Sequence, residues 1–386
     1  MPPQTPALVV DRAALDANLA AMQALCSAAG VRLRPHGKMH KCSTLGRFQV
    51  ERGAVGLCAQ TVGEAEAFVH GGIGDVLISA PSPAWAAPRI AALASHARIG
   101  ATADHADQIA WLGSAAARAG AVIDLVVDID PGTHRAGVRP ADAVTLARQA
   151  AATAGLRFAG IQIYAGQLQH VTTRVARQHA YDAVIARAGD VVAALTAAGL
   201  APGVVTGGGT GTHAYDVQSG VFTELQAGSY ALMDVEYGMC EPPSGGAWRF
   251  QPALLVASRV VSANHKTHVT IDAGVKALSM DGPPAAVVAG AAAGSRWKDM
   301  GDEHGIVVHP SAVGMLGGDF SALVDAADAD PRVAWPSDAP ALGGIVWLQP
   351  GHCDPTINLY DALFVVSPNG AYERWPIDAR RVTPQA

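Results

Sequence analysis

The chain has 386 residues, of which 50% are hydrophobic and 16% charged, and its formal net charge is −6. A chain of this length buries one large core or two, and its composition argues against intrinsic disorder. Since the basic residues are scattered through a net acidic chain, no surface for nucleic acid is expected.

The N-terminal segment "MPPQTPALVVDRAAL" lacks the basic and apolar regions of a signal peptide. No apolar run reaches the roughly 18 residues of a membrane helix. The five cysteines are odd in number and have no CxxC spacing, unlike the disulfide frameworks of secreted proteins. These features predict a reduced, cytoplasmic protein without membrane attachment.

From residue 7 to about residue 234, short apolar runs alternate with alanine-rich stretches of helical spacing. The runs are "ALVVD", "VRLRPHG", "AVGLCAQT", "DVLISAP", "RIGATAD", "VIDLVVDID", "FAGIQIYAG" and "GVVTGGG". Strands that are apolar on both faces are typical of parallel sheets covered by helices. Seven or eight such units favour a (β/α)8 barrel over a dinucleotide-binding fold, whose glycine fingerprint would follow the first strand.

After about residue 240 the sequence becomes β-rich, as in "ALLVASRVVSANHKTHVTIDAGVKALS" and "GGIVWLQPGHCDPTINLYDALFVVS". We therefore predict an α/β protein in which a (β/α)8 barrel over residues 1–245 precedes a C-terminal β domain over residues 246–386. The first strand is a candidate member of the β domain.

The stretch "VRLRPHGKMHKC" crowds basic residues directly behind a predicted barrel strand. Active sites of barrels lie at the C-terminal ends of the strands, and Lys38 falls there. Pro35 and Gly37 would fix its loop, and neighbouring cations would favour the neutral amine that forms a Schiff base. A solvated basic loop is the alternative for this stretch.

Two glycine-containing loops follow the last predicted barrel strands. In "VVTGGGTGTH" three consecutive glycines would expose backbone N–H groups to an anion, and "ELQAGSYALMD" follows near the next strand. Barrels often bind phosphate with their seventh and eighth loops. Together with Lys38 these loops predict pyridoxal 5′-phosphate (PLP), while an ordinary glycine-rich turn is the alternative for the first loop alone.

The segment "LQPGHCDPTINLYD" offers a metal-ligand pair. If residues 352–354 are extended, His352 and Asp354 point to the same face. Imidazole and carboxylate donors with water suit Mn²⁺, Mg²⁺ or Zn²⁺. A capping aspartate beside a core histidine is the alternative.

Two further predicted strands end in side chains that suit a PLP site. Arg135 follows one of them, in "DIDPGTHRAGV", where it can face a ring hydroxyl or a carboxylate. Tyr164 and His170 follow the other, in "GIQIYAGQLQH". Tyr164 is a candidate cofactor contact, and His170 is a candidate for proton transfer, because histidine is the side chain best suited to it near neutral pH. A surface ion pair for Arg135 and a solvent-facing loop for His170 are the alternatives.

Six motifs in order give the chain a resemblance to the D-threonine aldolase family. They are "RPHGKMHK", "DPGTHRAGV", "YAGQLQH", "TGGGTGT", "ELQAGSYALMD" and "PGHCDPTINLYD". That family and the related D-serine and D-3-hydroxyaspartate dehydratases belong to the alanine-racemase-like, fold type III class of PLP enzymes. The resemblance covers nearly the whole chain and implies a barrel of the alanine racemase type, a β domain and a homodimer.

The resemblance also implies roles for individual residues. Lys38 would form the Schiff base with PLP, Arg135 would lie near the phenolic oxygen and Tyr164 would flank the cofactor. The phosphate would be held by Gly208, Gly209, Thr210, Ser229 and Tyr230. A divalent metal, Mn²⁺ foremost, would be bound by His352 and Asp354, and His170 would lie near the substrate hydroxyl. The residue that contacts the pyridine nitrogen is not matched.

The activity implied by the resemblance is that of a lyase that cleaves D-3-hydroxy-α-amino acids to glycine and an aldehyde. The metal motif helps to choose the branch, because the aldolases resemble His-x-Asp and the dehydratases His-x-Cys. Here the spacing from His352 reaches Asp354, and Cys353 only lies between them. A dehydratase of D-serine or D-3-hydroxyaspartate and a non-catalytic PLP-binding protein are the alternatives.

Overall fold

The computed structural model describes residues 4–380, which divide into two compact units. The barrel unit comprises Ala17–Ala231, Met239–Arg249 and residues 376–380. The β unit comprises the segment that ends at Asp16, together with Leu232–Gly238 and Phe250–Trp375. The boundary between residues 245 and 246 stays a prediction.

The strands and helices follow one another as the alternating sequence pattern suggests. The strands are β1 (Ala7–Asp11), β2 (Arg32–Leu33), β3 (Leu57–Ala59), β4 (Asp75–Ile78), β5 (Arg98–Ala103), β6 (Ile123–Ile129), β7 (Leu156–Ile163), β8 (Val204–Gly207), β9 (Glu224–Leu225), β10 (Leu254–His265), β11 (His268–Ile271), β12 (Ala286–Ala289), β13 (Arg296–Asp299), β14 (Gly305–Val308), β15 (Ile345–Gln349), β16 (Ala362–Val366) and β17 (Tyr372–Pro376). The α-helices are α1 (Arg12–Ala28), α2 (Ser43–Glu51), α3 (Val62–His70), α4 (Ala87–Leu93), α5 (Ala106–Ala119), α6 (Ala143–Ala152), α7 (Arg174–Ala197), α8 (His213–Gln218), α9 (Val235–Gly238), α10 (Phe320–Ala329) and α11 (Cys353–Ile357). Short 3₁₀ turns lie at Ala84–Ala86, Pro140–Asp142, Gly166–Leu168, Ser229–Ala231 and Pro310–Gly317.

The barrel unit contains an eight-stranded parallel sheet in the order β2-β9-β8-β7-β6-β5-β4-β3. A parallel bridge between His36 and Cys58 joins the two ends of this sheet, and the Gly37 N–H donates to the Cys58 carbonyl at 2.8 Å. The sheet therefore closes into a ring of eight parallel strands. This closure confirms the predicted (β/α)8 barrel.

Local sequence explains why these elements form. Strand β6 is buried at every residue, as expected of a parallel strand covered on both faces. Helix α5 buries Ile109 and Leu112, three residues apart, and ends at Gly120, whose φ of 63° is the left-handed conformation of a helix terminus. These apolar faces form the main core of the barrel unit with the strands, in a cluster that includes Leu57, Phe68 and Ile90.

The β unit contains a nine-stranded sheet in the order β11-β14-β13-β12-β15-β10-β1-β16-β17. Strand β10 also pairs with β11, so six of these strands close into a small antiparallel barrel. This arrangement confirms the prediction of a C-terminal β domain. Within residues 4–380, no helix combines the length and hydropathy needed to span a membrane.

Two strands differ from the sequence pattern. The run "ALVVD" resembles a barrel strand, but β1 pairs antiparallel with β10 and parallel with β16, which confirms that the first strand joins the β domain. The eighth barrel strand is instead β9, which has two residues and pairs with β2 and β8. An apolar run shows that a strand is buried, but it does not show which sheet the strand joins.

Candidate active site

The lysine loop, defined here as residues 34–42, begins after β2 and is mostly buried. Its arginine, Arg34, pairs with Asp75 at 2.7 Å and with Glu224 at 2.9 Å, and Lys41 pairs with Glu64. These contacts rule out a solvated basic loop. Two of its cations therefore form ion pairs within the barrel unit.

His36 fixes the backbone of Lys38. The Lys38 N–H donates to His36 Nδ1 at 3.3 Å, so the proton of a neutral imidazole lies on Nε2, which donates to Ser79 Oγ at 2.8 Å. The Ser79 hydroxyl in turn donates to the Ala59 carbonyl at 3.2 Å. Burial, followed by the charge of Lys38, lowers the pKa of His36 well below its usual value. His36 is therefore neutral at physiological pH.

A network of buried polar side chains links several barrel strands, and the sequence analysis missed it. Gln162 Nε2 donates to Asp128 Oδ1 at 3.0 Å and to the Ser79 carbonyl at 2.8 Å. Gln226 Nε2 donates to Gln162 Oε1 at 3.1 Å and to Thr206 Oγ1 at 2.9 Å. Burial raises the pKa of Asp128 to about 7. In the sequence, the signal for this network was the presence of polar residues within otherwise apolar strands.

The structure brings Arg135 and Tyr164 together. The Arg135 guanidinium carbon lies 5.5 Å from the centre of the Tyr164 ring, which is a cation–π distance. The Thr133 hydroxyl donates to Gln167 Oε1 at 2.5 Å and connects the same two loops. His170 lies half-buried in the loop after β7. These residues all follow β6 or β7, as the strand pattern predicts.

The two predicted phosphate loops also meet. The Tyr230 N–H donates to Thr210 Oγ1 at 2.9 Å, and Ser229 begins the same 3₁₀ turn. The hydroxyl of Tyr230 accepts from Gln49 Nε2 at 3.3 Å, so its phenol is engaged with α2. Gly208 has a φ of 69°, a left-handed conformation that glycine adopts without strain, and Gly209 follows it.

In the β unit, His352 and Asp354 lie at the start of α11. His352 is extended, with φ −136° and ψ 125°, but the helix begins at Cys353, so the expectation of an extended segment over residues 352–354 is wrong. The two side chains nevertheless converge, with 3.8 Å between His352 Nε2 and Asp354 Oδ2. One ion can span these atoms, because donor–metal bonds are about 2.0–2.2 Å long.

Further carboxylates surround His352, and the sequence analysis did not identify them. Its Nδ1 lies 2.8 Å from Asp281 Oδ2 and 3.9 Å from Glu236 Oε2. Burial lowers the pKa of His352, but the nearby carboxylates, Asp354 foremost, outweigh burial and raise it. Among residues 4–380, no three or more His, Cys, Asp or Glu side chains form a complete metal shell. The residues thus offer a donor pair in a negative environment.

Asp234 holds the turn that carries this pair. Its Oδ2 accepts from the Cys353 N–H at 2.9 Å, and its Oδ1 accepts from the Tyr237 N–H at 3.0 Å. Cys353 is fully buried, and burial raises the pKa of its thiol well above the usual value. Its thiol is buried and lies 3.5 Å from Asp354 Oδ2, to which it donates.

Comparison with known proteins identifies the family. Residues 10–235 match the alanine racemase N-terminal domain, and residues 253–366 match the putative serine dehydratase domain. A D-threonine aldolase from an Arthrobacter species is 39% identical, over 97% of this chain and 92% of its own length. A 3-hydroxy-D-aspartate aldolase from Paracoccus denitrificans is 38% identical, over 98% of this chain and 92% of its own length.

A solved structure agrees with these sequence relatives. The crystal structure of D-threonine aldolase from Filomicrobium marinum is 36% identical and has a TM-score of 0.87, covering 98% of this chain and 96% of that one. The resemblance drawn from the six motifs is confirmed. The chain therefore belongs to the family of the D-threonine and 3-hydroxy-D-aspartate aldolases, in which it combines an alanine racemase N-terminal domain with a domain of the serine dehydratase type.

Proposed function

We propose that this protein is a PLP- and divalent-metal-dependent lyase that cleaves D-3-hydroxy-α-amino acids into glycine and an aldehyde. One observation carries the proposal: Lys38 follows a barrel strand on a buried loop, beside a neutral His36, in a chain whose full-length relatives are named as aldolases. A nucleophilic lysine needs surroundings of this kind to react as a neutral amine.

The residues of the barrel unit fit PLP. Lys38 would bind the aldehyde carbon of the cofactor through Nζ. Tyr164 and Arg135 would receive the ring and its phenolic oxygen, and their cation–π contact supports this pairing. The phosphate would be held by Gly208, Gly209, Thr210, Ser229 and Tyr230, whose two loops are joined by a hydrogen bond. When bound, PLP supplies an electron sink for the charge that develops at Cα.

The chain's own side chains would handle orientation and proton transfer. His36, whose pKa lies far below its usual range, would hold the lysine loop without adding positive charge. His170 would accept the proton of the β-hydroxyl at an imidazole nitrogen, since histidine is suited to proton transfer near neutral pH. Arg135 would orient an anionic group that lies against Tyr164.

His352 and Asp354 would hold the divalent metal, with Mn²⁺ preferred over Mg²⁺ and Zn²⁺. The mixed nitrogen and oxygen donor pair and the surrounding carboxylates support this role. Such an ion would supply Lewis acidity toward the β-hydroxyl. We further propose that the enzyme is a homodimer, as the family resemblance implies, and that it is cytoplasmic, as its cysteine pattern predicts. Light scattering with size-exclusion chromatography tests the dimer.

Product analysis tests the proposed reaction. The protein is incubated with PLP and D-threonine, with and without Mn²⁺ and with a chelator. Glycine and acetaldehyde, lost on chelation, are expected. D-3-Hydroxyaspartate is compared as a second substrate, because one of the similar proteins is named for it.

A dehydratase is the second candidate, since residues 253–366 match the putative serine dehydratase domain. It would convert D-threonine to 2-oxobutyrate and ammonia, and this product would refute the aldolase proposal. Bound PLP without turnover of any D-3-hydroxy amino acid would instead favour a non-catalytic PLP-binding protein.

A further inference from the structure

Two buried side chains, Asp216 and Gln169, accept hydrogen bonds from the glycine-rich loop, which is defined here as residues 207–212. Asp216 Oδ2 accepts from the Gly209 N–H at 3.2 Å and from the Thr212 hydroxyl at 2.7 Å. Gln169 Oε1 accepts from the Gly211 N–H at 2.9 Å. Both side chains are almost completely buried, with relative exposures of 1% and 2%. These contacts occupy the N–H groups on either side of Thr210.

Thr210, between these glycines, keeps its own donors available. Its Oγ1 accepts from the Tyr230 N–H, so its hydroxyl proton must point to a different acceptor. Within residues 4–380, neither that proton nor the Thr210 N–H has an acceptor. The residue is only 2% exposed. Buried donors without an acceptor are costly and indicate a ligand.

Gly211 has no room for a side chain. A side chain at Gly211 would place its Cβ 2.0 Å from the Gln169 carbonyl oxygen, which is backbone and cannot move aside. Gln169 Nε2 also donates to Thr212 Oγ1 at 3.1 Å, so the end of the loop is held twice. Gly209 and Gly211 therefore allow the close approach of Gln169, and the donors of Thr210 between them stay available for a ligand.

We propose that Asp216 and Gln169 are positioning residues for the cofactor phosphate: they occupy the N–H groups of Gly209 and Gly211 and so direct both donors of Thr210 to the anion. This inference rests on the proposed function, because it takes PLP as the source of the phosphate. It also revises the role of Gly209, whose N–H shapes the loop and does not bind the anion.

The charge of Asp216 gives the inference a pH dependence. Burial raises the pKa of this carboxyl to about 7. Besides Gly209 and Thr212, the groups that face it are Tyr181 on α7 and Cys26 on α1, whose pKa values are both raised by burial and by Asp216. None of them carries positive charge. A phosphate bound in the same loop would be repelled by the ionised carboxylate, so phosphate binding should be accompanied by proton uptake.

The experiment compares PLP with pyridoxal, which lacks the phosphate. Dissociation constants of both are measured by absorbance on the full-length protein stripped of cofactor, for the wild type, Asp216→Ala and Asp216→Asn. Asp190→Asn, an exposed carboxylate on α7, is the matched control. We expect Asp216→Ala to weaken PLP about tenfold and to leave pyridoxal unchanged, because only PLP uses the loop.

The second readout is the pH profile. Wild-type affinity for PLP, relative to pyridoxal, should fall as the pH rises through about 7, whereas Asp216→Asn should lose this fall and keep only the dependence that comes from ionisation of the PLP phosphate at about pH 6. Equal weakening of both ligands by Asp216→Ala, or an unchanged profile in Asp216→Asn, overturns the inference. If Asp216→Ala does not fold, the profile of Asp216→Asn decides. Failure of the wild type to bind PLP would refute the proposed function itself.

Discussion

In the barrel unit, the pKa values of His36, Asp128 and Asp216 are shifted toward the neutral form of each group, whereas in the β unit those of His352 and Asp281 are shifted toward the charged form. In the barrel unit, burial lowers the pKa of His36 and raises those of Asp128 and Asp216 to about 7. In the β unit, burial acts in the same sense on Asp281, but hydrogen bonds from Ser279 and His352 outweigh it and lower the pKa of that carboxyl.

The difference follows from how the groups are paired. His36, Asp128 and Asp216 form hydrogen bonds with amides, hydroxyls and backbone N–H groups, and among residues 4–380 no opposite charge is paired with them. Around His352 the carboxylates face an imidazole, and Asp354, Asp281 and Glu236 are each partly exposed. Neutral surroundings suit a cofactor that brings its own negative charge, while a cluster of carboxylates suits a divalent cation.

The largest effect is expected from Lys38 in the barrel unit. Lys38→Ala should abolish the visible absorption of bound PLP and lower aldolase activity by more than about a thousandfold, because covalent attachment is lost. Lys41→Met is the control, since Lys41 is already paired with Glu64. Persistence of the absorption band in Lys38→Ala would assign the attachment to another residue.

The metal-ligand pair of His352 and Asp354 is tested by removing the Asp354 carboxylate. Asp354→Ala should keep the absorption of bound PLP but lower Mn²⁺-dependent turnover by about a hundredfold or more. The exposed Asp361, which follows α11, provides the control variant Asp361→Asn. Full Mn²⁺-dependent activity in Asp354→Ala would remove this carboxylate from the metal site.

The fold was predictable because its signals are local. Apolar runs and alanine-rich helices repeat along the chain, and each is read without knowledge of its partners. The candidate assignment of β1 to the β domain is confirmed by its pairing, whereas β9 was missed because its two residues are too few to show a pattern. The start of α11 at Cys353 could have been predicted in place of an extended segment, because Pro355 lies in its first turn, where proline is tolerated and marks the beginning of a helix.

The residues of the candidate site also divide into those that local sequence predicts and those that it does not. Lys38, Arg135 and Tyr164 follow strands and could be placed by position alone. The side chains that support the site could not, because Gln162 reaches Asp128 on a neighbouring strand and Asp234 reaches Cys353 across 119 residues of sequence. Hydrogen bonds of this kind depend on register and on turn geometry, which no single segment encodes.

Substitution of Asp281, which lies beside His352, should have an effect of intermediate size on metal binding. Asp281→Ala should weaken Mn²⁺ binding about 10–100-fold, because a carboxylate that accepts from Nδ1 fixes the orientation of a ligating imidazole. Asp281→Asn should be milder, since an amide oxygen still accepts. Calorimetric titration with Mn²⁺ measures both, and Glu303→Gln, an exposed residue paired with Lys276, is the control. Equal affinity in all variants would exclude this role.

The smallest expected effect is on the free energy of unfolding, which is lowered at neutral pH because Asp128 is buried and its ionisation is disfavoured. Its pKa of about 7 in the folded chain exceeds the value of about 3.9 for an unfolded aspartate. Between these values the unfolded chain releases a proton that the folded chain retains, so stability falls as the pH rises and the cost is complete above pH 7.

Asp128→Asn removes this titration while its amide oxygen still accepts from Gln162. We expect the free energy of unfolding of the cofactor-free protein to rise by about 1–2 kcal/mol at pH 8 and to change little near pH 4. Urea denaturation at both pH values measures the difference, with Asp190→Asn as an exposed control. An equal gain at both pH values would show that the variant acts by packing, and the neutral character of the barrel network would lose its support.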